Sequence, residues 1–141
     1  MLRITSIETF CNEFVGFVRI IDETGLEGWG QVSTYHSDIT CQVLHRQVAP
    51  WVLGAQISDL DDLLDLVTER EHKFPGSYLR RAIGGFDTAI WDLRGKHSQK
   101  PVVELLGGEP GKLRAYASSM KRDITPKEEA ERLVRLQGEF G

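Results

Sequence analysis

The run Ala82-Ile83-Gly84-Gly85-Phe86-Asp87-Thr88-Ala89-Ile90-Trp91-Asp92-Leu93-Arg94-Gly95-Lys96 restricts the folds open to this chain more than any other stretch. Leu79, Ala82, Ile83, Phe86, Ile90 and Leu93 fall at helical spacing and predict a helix from about Tyr78 to Lys96, buried along that stripe. Gly84 and Gly85 each cost such a helix roughly 1 kcal/mol against Ala. Their presence implies that another backbone passes close by. Neither suggests a phosphate loop, because no strand leads into the segment and the dinucleotide-binding glycine spacing is missing. Pro101-Val102-Val103-Glu104-Leu105-Leu106-Gly107-Gly108 then reads as a Pro-started turn of helix with a glycine stop.

Upstream of this helix the pattern is that of strands. Arg3–Phe10 alternates imperfectly and is rich in β-branched residues, as a strand would be. Phe14–Ile21 and Leu26–Ser33 read as two more strands, joined by the turn Asp22-Glu23-Thr24-Gly25. The short link Cys11-Asn12-Glu13 favours pairing of the first two, which gives a three-stranded antiparallel meander. From Ser37 the period turns helical, with Ser37 or Asp38 as N-cap, and Pro50 bends or ends that helix. Ser58 caps a second helix with Leu60, Leu63, Leu64 and Val67 inward. Leu113–Ser118 reads as a further strand. Thr125-Pro126-Lys127-Glu128 is a capping box opening a last helix. The fold class is therefore α+β: a meander followed by a helical bundle, then the start of a β–α unit.

The totals exclude several function classes. A net charge of −4 with no basic stripe argues against a nucleic-acid partner. Nothing reaches membrane-spanning length, and the first residues carry no apolar signal run. Cys11 and Cys41 make no disulfide framework, so a cytoplasmic protein with reduced thiols is expected.

Four stretches in one order are similar to the N-terminal capping domain of the enolase superfamily, in its mandelate racemase and muconate lactonizing enzyme branch. They are Gly28-Trp29-Gly30-Gln31, Val48-Ala49-Pro50-Trp51-Val52-Leu53-Gly54, Phe86 to Lys96, and Pro101 to Gly108. Arg114-Ala115-Tyr116-Ala117-Ser118 resembles the first strand of the family's barrel. Gln31 stands where many members have Glu, at a position that reads as structural. The resemblance implies residues 1–112 as the capping domain and 113–141 as the first β/α unit of a truncated TIM-type barrel. It implies abstraction of a proton α to a carboxylate, with a Mg²⁺-stabilised enediolate and a Lys or His base. In this family the metal carboxylates and the bases come from the second barrel strand onward. The chain is thus expected to hold no catalytic residue and no metal ligand, and to be inactive alone. Lys121-Arg122 follow the first strand, so they do not match the family's Lys-x-Lys or Lys-x-Arg pair.

What the resemblance leaves to this chain is the rim of the substrate pocket. Two loops would close over it: Phe10–Phe14, which supplies Asn12 and Glu13, and Thr34–Asp38, which supplies Tyr35 and His36. Tyr35 and His36 could hydrogen-bond hydroxyls or a carboxylate, or the loop could merely begin a helix. Ser118 would end the first barrel strand on the catalytic face, where it either touches substrate or satisfies local backbone groups. Cys41 and His45 share a helical face, but two ligands are too few for a closed metal site. Asp87 and Asp92 read as structural acids, paired with Arg or a backbone donor.

The polar second loop and short first loop suit a small hydroxylated carboxylate. An acid-sugar dehydratase is therefore expected. A mandelate racemase-like racemase or epimerase and a muconate cycloisomerase-like enzyme are the alternatives. A non-catalytic fragment acting as an association module is the rival of another class. A homo-oligomer is expected by family resemblance.

Overall fold

The computed structural model describes residues 2–57, 60–114, 116 and 123–140. These fall into two compact units, Met1–Pro110 and Gly111–Gly141.

In the first unit β1 (Leu2–Cys11), β2 (Gly16–Asp22) and β3 (Glu27–Val32) form the expected antiparallel meander. A two-residue strand, β4 (Gln56–Ile57), adds to the free side of β1, so the order is β3-β2-β1-β4. The imperfect alternation of β1 has a physical cause. A bulge between Ile4 and Ser6 shifts the register, so Ile4 and Ile7 both turn toward the core although they are three apart. Past the bulge, Ile7, Thr9 and Cys11 lie opposite Ile20, Val18 and Gly16 on the inner face. Glu8 and Phe10 lie opposite Arg19 and Phe17 on the outer one.

The inner face is covered by α4 (Ser77–Ser98), and Phe86, Ile90 and Leu93 on that helix are wholly buried. All six residues of the expected stripe face the core, joined by Ala89. Truncating Phe86 to Ala at such a site costs about 3–5 kcal/mol. The close backbone approach implied by the paired glycines involves one of them. A Cβ on Gly85 would meet Val32 Cγ1 at 2.6 Å, and one on Gly30 would meet the Gly85 carbonyl oxygen at 2.0 Å. Gly84 faces open space. The helix ends where Gln99 takes a left-handed φ of 52° and the Lys100 N–H returns to the Gly95 carbonyl at 3.0 Å.

Between sheet and α4 run α1 (Ser37–Val43), a π-helical turn over Leu44–Val48, α2 (Ala49–Val52) and α3 (Leu60–Arg70). Pro50 explains the π turn. It has no N–H for the preceding turn and its ring crowds the carbonyl four back, so the helix widens just before it. The Ala49 N–H accordingly reaches back to the Leu44 carbonyl. Ser37 and Asp38 do not serve as N-cap: α1 begins at Ser37, after a left-handed His36, and the Ser37 hydroxyl donates to the Ser33 carbonyl at 2.9 Å. The expected cap Ser58 lies outside the described residues. The Pro101 turn is α5 (Val102–Leu105), which stops before Gly107 at φ 81°.

In the second unit α6 spans Pro126–Phe140. Its capping box is reciprocal: the Glu128 N–H donates to Thr125 Oγ1 at 3.4 Å, and the Thr125 N–H to Glu128 Oε2 at 3.0 Å. Of the strand expected at Leu113–Ser118, residues 113, 114 and 116 adopt no regular element. Leu113 and Tyr116 are almost fully exposed. A first barrel strand needs a neighbouring strand to bond with, and none follows it among the described residues.

Candidate functional site: two joined loops at one end of the sheet

The link after β1 is a tight turn built by Asn12. Asn12 Oδ1 accepts the N–H groups of Phe14 and Val15 at 2.8 and 2.9 Å, and the Asn12 N–H donates to the Val15 carbonyl at 2.9 Å. The Asn12 side-chain amide oxygen thus accepts two backbone N–H groups of the turn. Glu13 and Phe14 stand exposed at the tip.

The loop after β3 lies against this turn. The Tyr35 N–H donates to the Phe14 carbonyl at 3.2 Å, and the Ser37 N–H to the Glu13 carbonyl at 3.1 Å. The Phe14 and Tyr35 rings meet edge to face, centroids 6.3 Å apart. Tyr35 and His36 both hold left-handed φ values, 61° and 54°, which cost a non-glycine residue about 1 kcal/mol or more. Three bonds hold that conformation. The His36 carbonyl takes the Thr40 N–H at 3.1 Å and the Thr40 hydroxyl at 3.2 Å, and Arg81 Nη1 on α4 donates to the Tyr35 carbonyl at 3.3 Å. Among the described residues, neither the Tyr35 hydroxyl nor the His36 ring meets a hydrogen-bond partner, and both residues are exposed.

Asn12, Glu13, Tyr35 and His36 are thus gathered on one edge. Ser118 lies outside the described residues, as do Lys121 and Arg122. Arg81, which fastens the second loop and lies over the Tyr78 ring at 5.7 Å, was not singled out in the sequence. No local signal marks its role, since its partner is a main-chain carbonyl 46 residues away.

The remaining candidates are structural. Asp92 Oδ2 accepts the Trp29 N–H at 2.8 Å and Lys96 Nζ at 2.7 Å, so a backbone donor and a Lys hold it, not an Arg. Arg94 lies over Trp91. Burial, followed by the nearby Asp61 carboxylate, pushes the Asp87 carboxyl above its usual range. His45 Nε2 meets Thr9 Oγ1 at 2.9 Å. Among the described residues, no group of three or more His, Cys, Asp or Glu could hold a metal ion. No helix of the described residues is long and apolar enough to cross a membrane.

An acid missed in the sequence is Asp22. Its Oδ1 accepts the Thr24 hydroxyl at 2.7 Å and the N–H groups of Thr24 and Leu26 at 2.9 and 3.0 Å. Its Oδ2 bonds His97 near the end of α4. Burial, the largest influence, pushes its pKa up, but Thr24, His97 and the two backbone donors together hold the carboxyl below its usual range.

With this geometry in place, the relatives are informative. The sequence model of the mandelate racemase/muconate lactonizing enzyme N-terminal domain matches residues 3–107. A D-galactonate dehydratase family member of Paenibacillus sp. (strain JDR-2) is 34% identical over 113 residues, 77% of this chain and 28% of that protein. A candidate racemase of Roseobacter denitrificans, known as a crystal structure, is 73% identical with a TM-score of 0.85, over 96% of this chain and 37% of that one. A mandelate racemase/muconate lactonizing protein of Paracoccus denitrificans PD1222, complexed with magnesium, is 33% identical with a TM-score of 0.71, over 77% of this chain and 31% of that one. This chain therefore spans well under half the length of each relative.

Proposed function

This chain belongs to the mandelate racemase/muconate lactonizing enzyme family, and on that premise we propose that it caps the active site of a longer enzyme acting on an acid sugar. In this reading residues 113–141 begin the barrel, and residues 1–112 supply its lid. The lid's edge is the pair of joined loops. Tyr35, His36, Asn12 and Glu13 bind substrate hydroxyls or the carboxylate, and Ser118 contributes from the barrel side. In this reading the chain's share of the work is to orient substrate and exclude water. No proton transfer is assigned to it.

Similarity to the D-galactonate dehydratase family member carries the choice of dehydration. The polar rim agrees with it, since a hydroxylated acid needs donors and acceptors where an aromatic substrate would need apolar wall. Racemisation or epimerisation is the second reading, favoured by the higher identity with the Roseobacter candidate racemase. One experiment separates them. The full-length protein that contains this chain is incubated with a panel of C5 and C6 aldonic and aldaric acids in deuterated buffer with Mg²⁺. Loss of water to a 2-keto-3-deoxy acid is the expected result. Deuterium at the α carbon without loss of water establishes the racemase reading. Absence of both chemistries across the panel overturns the acid-sugar reading. Residues 1–141 alone are expected to turn over nothing.

We also place the protein in the cytoplasm as a homo-oligomer. The outer sheet face supports the latter: Phe10, Phe17 and Trp29 are exposed there, around an Arg19 that pairs with Glu8 and Glu27. Light scattering of the full-length protein tests it.

A further inference from the structure

The two cysteines are 30 positions apart in sequence, yet both lie against Gly16 beside the joined loops. Cys11 ends β1 on the inner face of the sheet, opposite Gly16. Cys41 sits on α1, buried, while Cys11 is exposed. Gly16 makes the clearing between them. A Cβ placed on it would lie 3.1 Å from Cys41 Sγ and 3.2 Å from Cys11 Cβ, so both side chains converge on one position. The neighbouring contact repeats the arrangement. Thr9, two residues back on the same face, bonds His45, one helical turn on from Cys41. Strand and helix thus run side by side with two rungs between them, Thr9–His45 and Cys11–Cys41.

We propose that Cys11 and Cys41 form a reversible disulfide that clamps the end of β1 to α1 and stiffens the edge formed by residues 12–14 and 35–37. The oxidant is a low-molecular-weight disulfide. The Cys11 thiolate attacks one sulfur of the small disulfide, forming a mixed disulfide and expelling a small thiolate. Cys41 sulfur then attacks Cys11 Sγ, the mixed S–S bond breaks, and the second small thiolate leaves with the Cys41 proton. Two protein thiols are oxidised by two electrons, and one small disulfide is reduced to two small thiols.

The asymmetry of the pair sets the order of events. Exposure makes Cys11 the entry point. Burial first, and then the adjacent Cys11 thiol, push the Cys41 thiol up to about 12, so it stays protonated and unreactive toward reagents in solution. Capping Cys11 as an uncharged disulfide removes only its own part of that shift; burial still holds the Cys41 proton, which passes to the departing small thiolate as Cys41 Sγ attacks at close range. The clamp acts on the loops because Cys11 is the residue before Asn12 and Cys41 is one turn into the helix that His36 and Ser37 begin.

The test treats the full chain with oxidised glutathione at mildly alkaline pH. The expected product has lost two hydrogens, about 2 Da, and yields one Cys11–Cys41 cross-linked peptide that dithiothreitol releases. Cys41→Ser is expected to stop at the glutathione adduct on Cys11, and Cys11→Ser to remain unmodified. Cys41→Ala is a second variant with the same expectation, in case a buried Ser disturbs folding. In the oxidised chain the amides of Tyr35 and Ser37 are expected to exchange about tenfold more slowly. A stable adduct on Cys11 of the native chain, or modification of both cysteines separately, overturns the disulfide. A cross-link with unchanged amide exchange overturns the clamp.

Discussion

Gly30 and Gly85 face each other where β3 meets α4: a side chain on Gly30 collides with main chain, and one on Gly85 with the Val32 side chain. Gly30→Ala would set a methyl 2.0 Å from a carbonyl oxygen, so sheet and helix must separate. A loss of about 1–3 kcal/mol is expected in denaturant titration. Gly84, its neighbour in sequence, faces open space, and Gly84→Ala is expected to gain roughly 0.5–1 kcal/mol in the same assay. Asp22 gives a prediction in pH. Its folded pKa is depressed, so its stabilisation is complete above the unfolded value near 4 and fades as pH falls through the lower folded value. Asp22→Asn is expected to cost about 1–3 kcal/mol at neutral pH. Its thermal midpoint should also fall less steeply than that of the parent chain between about pH 4 and pH 2.

Regular elements declare themselves where one physical requirement dominates. The α4 stripe was readable because burial along one side of a helix imposes a period, and Thr125–Glu128 because a capping box is a local exchange of bonds. Thr125→Ala is expected to cost α6 about 0.5–2 kcal/mol, seen as faster amide exchange in its first turn. The bulge in β1 was visible only as an irregular alternation, since register depends on the partner strand. Pro50 announced a break but not its form, because widening and kinking both relieve the same clash. The start of α1 was misplaced by one residue: Ser37 has a capping side chain, yet left-handed Tyr35 and His36 set the entry angle. The pairing of residues 13–14 with 35–37 had no sequence signal at all, being main chain to main chain.

Across the chain, the sequence pointed to the family and, through the resemblance, to two loops proposed as the pocket rim. It could not show that they are bonded together, or that Arg81 on α4 fastens the second of them. If the proposed lid role holds, Arg81→Ala in the longer protein is expected to remove one hydrogen bond worth roughly 1 kcal/mol, raising KM about fivefold with little change in kcat. Unchanged KM would remove Tyr35 and His36 from the substrate's path.

The bonds from Tyr35 to Phe14 and from Ser37 to Glu13 also fix what kind of variation this edge tolerates. One residue inserted at Asn12 or Glu13 would move both acceptor carbonyls and release the second loop with the first. Exchange of side chains at constant length is therefore the variation expected to be tolerated here, and a library built on this edge should vary identity at positions 13, 35 and 36 while keeping Asn12 and the spacing untouched.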